Sequence, residues 1–92
     1  MNKIENELTV VNKKGLHARP AAIFVGLVEK FNVTVTLARG SEAVNGKSIM
    51  GILMLGAVEG TVLKISVEGD EASAAMAEFE KFFNKQEEDL VP

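Results

Sequence analysis

The sequence predicts an α+β fold in which helices cover one face of an antiparallel sheet, in the order β-α-β-β-α-β-α. Three observations carry this prediction. Apolar and polar residues alternate in short runs, as they do in half-buried strands. Apolar residues recur at helical spacing in two longer runs. Between these, a short all-apolar segment lies between a serine and a glycine suited to helix ends.

Taken in order, residues 7–11 are rich in β-formers, with Leu8, Val10 and Asn12 alternating with Thr9 and Val11, so the first strand is placed there. Asn12, Lys13, Lys14 and Gly15 then read as a polar turn. Phe24, Leu27, Val28 and Phe31 recur at helical spacing, and Ala21, Ala22 and Val25 widen the same face, so a helix is expected over 18–30. Val33, Val35 and Leu37 alternate with Thr34 and Thr36 in a second strand. Arg39, Gly40 and Ser41 turn the chain into a short returning strand at 42–45. Gly46 and Lys47 break that strand, Ser48 stands where a helix N-cap belongs, and residues 49–55 run apolar on all sides until Gly56. Leu63, Ile65 and Val67 alternate with Lys64, Ser66 and Glu68 in a last strand. Ala72, Ala75, Met76, Phe79, Phe82 and Phe83 share one face of a final helix over 71–85, and residues 86–92 are expected to fray.

Composition narrows the function classes. Ninety-two residues suffice for one core, so residues 1–92 are expected to form a single domain with one site. The chain has no cysteine and one histidine, which leaves no disulfide framework, no thiolate metal site and no basis for a zinc site. The opening MNKIENELTV has no apolar signal core and no stretch is long enough to cross a bilayer, so a cytoplasmic location without membrane insertion is expected. Residues 1–50 carry seven Lys or Arg against four Glu (+3), and residues 51–92 carry three Lys against nine Asp or Glu (−6). The first half is thus the one that attracts anions. A nucleic-acid domain would be basic overall and offer aromatics for stacking; this chain is at −3 and has no Tyr or Trp.

The single histidine stands in GLHARPAA, residues 15–22. His17 lies at the N-terminal lip of the first expected helix, where backbone N–H groups such as that of Ala18 lack intrahelical partners and the macrodipole is positive. Such a place binds phosphate. Pro20 stiffens the first turn without costing a needed hydrogen bond, and Arg19 can turn a planar, permanently charged fork toward the same spot. A neutral imidazole there is a nucleophile toward phosphorus. Once phosphorylated it would carry a group of about −1.5 to −2 charge, by analogy with phosphoserine. No catalytic carboxylate or second nucleophile accompanies it. A carrier of a phosphoryl group needs only this much, and no catalytic apparatus or cofactor is expected.

The same stretch closely resembles the active-site segment of the HPr family, the histidine-containing phosphocarriers of the bacterial phosphoenolpyruvate-dependent sugar phosphotransferase system. NGKSIMGILMLGA follows at the expected distance, and the resemblance covers nearly the whole chain. It implies an open-faced β-sandwich, with a four-stranded antiparallel sheet and three helices on one face. It implies that His17 takes a phosphoryl group on Nδ1 from phosphorylated Enzyme I and gives it to the EIIA domain of a sugar transporter, supported by Arg19 and the helix N-terminus.

Ser48 reads from its position as a helix N-cap. GKS also invites a P-loop reading, but Gly40 and Gly46 are separated by five residues where that loop needs four, so it is rejected. The resemblance adds that the serine can be phosphorylated by an HPr kinase/phosphorylase, presenting a charged surface to a transcriptional regulator. It also implies a docking face around the second helix: Lys47, Ile49, Met50 and Leu53, with Ile23 from the first, while Ile52 and Leu55 can fill the core. Methionine suits a surface that fits several partners in turn. Such a face must stay available, so a monomer is expected. Two alternatives remain, the second of which, as the resemblance implies, belongs to relatives that lack the histidine. One is the nitrogen-branch paralogue, which uses the same histidine motif; the other is a regulatory binding module acting through phosphorylated Ser48.

Overall fold

The computed structural model of the protein describes residues 2–90. Within them the order is β1 (Lys3–Thr9), α1 (Ala18–Val28), β2 (Thr34–Arg39), β3 (Glu42–Asn45), α2 (Ile49–Met54), β4 (Val62–Glu68) and α3 (Ala72–Phe83). The strands form one antiparallel sheet in the spatial order β1-β4-β2-β3. The expected fold class and element order therefore hold.

Alternation decides which face of the sheet is covered. Val35 and Leu37 of β2 and Leu63, Ile65 and Val67 of β4 point inward and are buried, and pairing sets Leu37 opposite Ile65 and Val35 opposite Val67. Thr34 and Lys64 stand on the solvent side. Helix α1 closes the inner face with Ala21, Phe24, Val25 and Val28, and α3 with Ala72, Ala75, Met76, Phe79, Phe82 and Phe83. All five phenylalanines meet here: Phe24 lies 5.2, 5.3 and 5.6 Å from Phe79, Phe82 and Phe83, and Phe31 lies 6.0 Å from Phe79. The tilted and edge-on geometries are those that aromatic quadrupoles favour.

The differences in boundaries have local causes. Strand β1 starts at Lys3 rather than at residue 7, because it pairs with β4 from Lys3↔Glu68 to Thr9↔Val62. Backbone pairing extends a strand through KIEN, where the side chains alternate poorly. Helix α1 ends at Val28 because Lys30 and Phe31 donate to Leu27 and Val28, tightening the last turn to i→i+3 bonds. Asn84 and Lys85 finish α3 the same way, on Lys81 and Phe82. The expectation of a frayed tail is corrected for residues 86–90. A short 3-10 turn forms over Glu87–Asp89, Leu90 is buried, and Gln86 Nε2 donates to the Val11 carbonyl at 2.8 Å. Residues 91 and 92 lie outside the described residues.

Candidate functional site

His17 is the N-cap residue of α1, with an extended backbone (φ −90°, ψ −166°) and a side chain that does not cap the helix. Its carbonyl accepts the first intrahelical bond, from Ala21 N–H at 2.9 Å. Ala18, Arg19 and Pro20 make up the first turn. That turn contains no acidic residue to compete for an anion, and the N–H of Ala18 faces out of the helix mouth by the rule of helix geometry. His17 is half-buried, Ala18 and Arg19 are exposed, and Pro20 is buried and anchors the turn. The imidazole and guanidinium thus belong to one rigid helix start.

The loop before His17 is fixed on two sides. Leu16 N–H donates to the Ala57 carbonyl at 2.8 Å, and Gly15 N–H donates to the Asn12 carbonyl at 2.9 Å. Asn12 is buried, and its Nδ2 donates to the Gly15 carbonyl at 3.0 Å. Gly15 has φ +73°, and a Cβ there would stand 2.6 Å from Ala57 O, so only glycine fits. On the other side Gln86 holds Val11 O through Nε2, and its Oε1 accepts from Lys13 N–H at 3.2 Å. Sequence reasoning missed both contributions. Gln86 is separated from this loop by more than seventy residues, a pairing no local pattern can signal.

Helix α2 supplies the second part. Ser48 Oγ accepts from Gly51 N–H at 2.9 Å, the N-cap geometry expected from its position. Asn45 shapes the entry to the helix: its Oδ1 accepts from Lys47 N–H at 2.8 Å, and its carbonyl from Ser48 N–H at 3.0 Å. At the far end Gly56 takes φ +60°, the left-handed turn that ends the helix. Arg39 adds a clamp that the sequence did not advertise, its Nη1 donating to the carbonyls of Leu55 at 2.9 Å and Gly56 at 2.8 Å. A cation on those carbonyls complements the negative end of the helix.

The apolar residues of α2 divide by helical period. Ile52 and the following Leu55 are buried in the core. Met50 and Met54 fall one turn apart on the opposite stripe and are 67% and 73% exposed. Ile49 is 39% exposed and Lys47 is exposed, while Leu53 is half-buried against the core. Met54 is therefore the exposed apolar residue that sequence reading left out. Val58, 63% exposed beside the Gly15 turn, is another. Ile23 is half-buried and lines a groove with α3 residues rather than joining the exposed stripe of α2.

Because α1 packs against α2 and Leu16 is tied to Ala57, the His17 lip lies by the exit of α2, whereas Ser48 stands at its entrance. Among the described residues no group of three or more His, Cys, Asp or Glu is placed to hold a metal ion, and no helix is long and apolar enough to cross a membrane. The arrangement offers one imidazole at a positive helix end beside an exposed apolar face.

Comparison with known proteins agrees with this geometry. A family model described as the PTS HPr component phosphorylation site matches residues 4–85. The phosphocarrier protein HPr of Xylella fastidiosa (strain Temecula1) is 46% identical over 87 residues, spanning 94% of this chain and 98% of its own. The multiphosphoryl transfer protein of Haemophilus influenzae is 45% identical over 78 residues, spanning 82% of this chain and 16% of that protein. In three dimensions, the crystal structure of a phosphocarrier protein HPr from Bacillus anthracis superposes with a TM-score of 0.85 at 32% identity, covering 90% of this chain and 99% of that one.

Proposed function

The chain belongs to the PTS HPr family, and from that premise we propose that it carries a phosphoryl group on Nδ1 of His17, received from phosphorylated Enzyme I and delivered to EIIA domains of sugar transporters. The observation that carries the reading is His17 at the N-cap of α1 with its side chain uncommitted to capping, next to Arg19 on a helix start without acidic residues. The imidazole lone pair attacks phosphorus, a P–N bond forms, and the bond between phosphorus and the donor breaks with its electron pair leaving on the donor. The onward transfer reverses these roles. Arg19 and the Ala18 N–H offset the charge that the phosphoryl oxygens bring to the site. The protein thereby acts as a substrate of other enzymes, as a monomer in the cytoplasm, and as one domain over residues 1–92.

Partners dock on the exposed face of α2, through Lys47, Ile49 and Met50, with Leu53 half-buried at its edge. Ser48 is the regulatory position in this reading: phosphorylation by an HPr kinase/phosphorylase would set about −1.5 to −2 charge beside Ile49 and Met50, changing the surface offered to Enzyme I and to a transcriptional regulator. The hydroxyl's place at a helix N-cap supports it, since a phosphate there adds acceptors where N–H donors already point.

Incubation with Enzyme I, magnesium and phosphoenolpyruvate, followed by intact-mass analysis before and after brief acid treatment, tests the proposal. An acid-labile adduct that is absent from His17→Ala is expected, because phosphohistidine is hydrolysed where phosphoserine survives. Retention of the adduct in His17→Ala would overturn the assignment. Running the reaction with Enzyme I from the sugar and nitrogen branches in parallel decides which chain of transfer the protein serves.

A further inference from the structure

Helix α1 presents a second surface, toward α3. A groove of about 510 Å³ runs between the two helices, and Ile23, Leu27, Phe82 and Leu90 give it an apolar floor. That volume lies within the range of small-molecule sites, roughly 300 to 1,000 Å³. The folded-back tail completes it, because Leu90 is one of its walls.

The rim is cationic. Lys30 approaches from just beyond α1, Lys81 from α3 and Lys85 from just beyond α3, with Glu78 the one acidic residue lining the groove. Glu78 is occupied by Lys81 at 3.4 Å. Residues 51–92 contain three lysines against nine acids, yet two of those three stand here. In a chain of net charge −3 this is a local excess of positive charge beside an apolar trough.

Gly26 is part of the same groove. It occupies the interior of α1, where glycine is unfavourable relative to alanine. A Cβ built on it would meet nothing within 4 Å, so no close contact inside the protein requires the glycine. Gly26 lines the groove, and its missing side chain keeps the groove open.

We propose that the α1–α3 groove binds a free medium-chain fatty acid. The hydrocarbon lies along Ile23, Leu27 and Phe82 past Gly26, and the carboxylate meets the ammonium groups of Lys30 and Lys85, Lys81 being paired with Glu78. Apolar side chains flanked by lysines match a ligand with one anionic head and an unfunctionalised tail. They do not match a sugar or a nucleotide, which would need hydrogen-bonding groups along its length. The inference is independent of phosphotransfer by His17.

The test is a titration of the full chain with sodium dodecanoate below its critical micelle concentration, at low ionic strength, followed by calorimetry and by backbone amide shifts. Dodecyltrimethylammonium and an acidic amphipathic peptide serve as parallel probes. Saturable one-to-one binding of dodecanoate is expected, with the largest shifts at Gly26, Leu27, Lys85 and Leu90. The double variant Lys30→Glu, Lys85→Glu should weaken it about tenfold or more. Gly26→Leu fills the groove with a good helix former and should abolish saturation while the circular dichroism spectrum stays native. Absence of saturation, equal affinity for the cationic amphiphile, shifts confined to Ile49, Met50 and Met54, or binding of the peptide alone would each overturn the proposal.

Discussion

The backbone N–H of Leu16 donates to the carbonyl of Ala57 at 2.8 Å, which joins the residue before His17 to the segment leaving α2. One hydrogen bond thus joins the His17 loop to the end of α2, and Gly15 lets the two backbones approach closely enough to form it.

Gly15→Ala tests that coupling directly. The new methyl group would need to occupy a position 2.6 Å from Ala57 O at a φ of +73°, so either the loop or the 57–58 segment must shift. Destabilisation of about 1–3 kcal/mol is expected from urea unfolding, together with slower phosphoryl transfer to His17.

Gln86 bridges the tail to the same loop through Val11 O and Lys13 N–H. Gln86→Ala should cost on the order of 1 kcal/mol and accelerate amide exchange at Lys13, without altering exchange in the centre of β4. Unchanged exchange at Lys13 would show that the bridge does not hold the loop.

Phe24 touches Phe79, Phe82 and Phe83 and is fully buried. Phe24→Ala is expected to lose about 3–5 kcal/mol, a large part of the roughly 5–14 kcal/mol available to a domain of this size, and to lower the thermal midpoint accordingly. A loss below 1 kcal/mol in the same measurement would mean that the neighbouring rings collapse into the space.

Ser48 has a structural and a proposed regulatory role that two substitutions separate. Ser48→Ala removes the acceptor for Gly51 N–H and should cost about 1 kcal/mol in thermal or urea unfolding. Ser48→Asp keeps a capping oxygen, so stability should be nearly restored, while its charge next to Ile49 and Met50 should slow phosphoryl transfer from Enzyme I. Normal transfer in Ser48→Asp would count against electrostatic regulation at this position.

Glu5 gives the stability of the sheet's outer face a pH dependence. The Ser66 hydroxyl donates to its Oε2 at 2.8 Å, and Lys64 at 3.6 Å and Lys3 at 3.8 Å add favourable charge, so its carboxyl is held below the ordinary value of 4.5. The folded state binds this proton less readily than the unfolded chain. The stabilisation is therefore present above the ordinary value and is lost as pH falls through the lowered folded-state value. The urea midpoint of Glu5→Gln should lack that component of the acid decline. Because the group is exposed, added salt should shrink the lysine part of the effect.

Strand alternation at 33–37 and 63–67, the apolar stripe of α3 and the N-cap at Ser48 were legible in the sequence, because each depends on residues close together along the chain. The GLHARPAA segment was legible for the same reason: an imidazole, an arginine and a proline at a helix start are a local pattern. Only the tertiary structure decided that β4 lies between β1 and β2, that Gln86 and Asn12 brace the His17 loop, that Arg39 clamps the end of α2, and that Met54 faces solvent while Leu53 turns toward the core. Each of these joins parts of the chain through packing, and in a segment apolar on every side, periodicity cannot say which face the core will take.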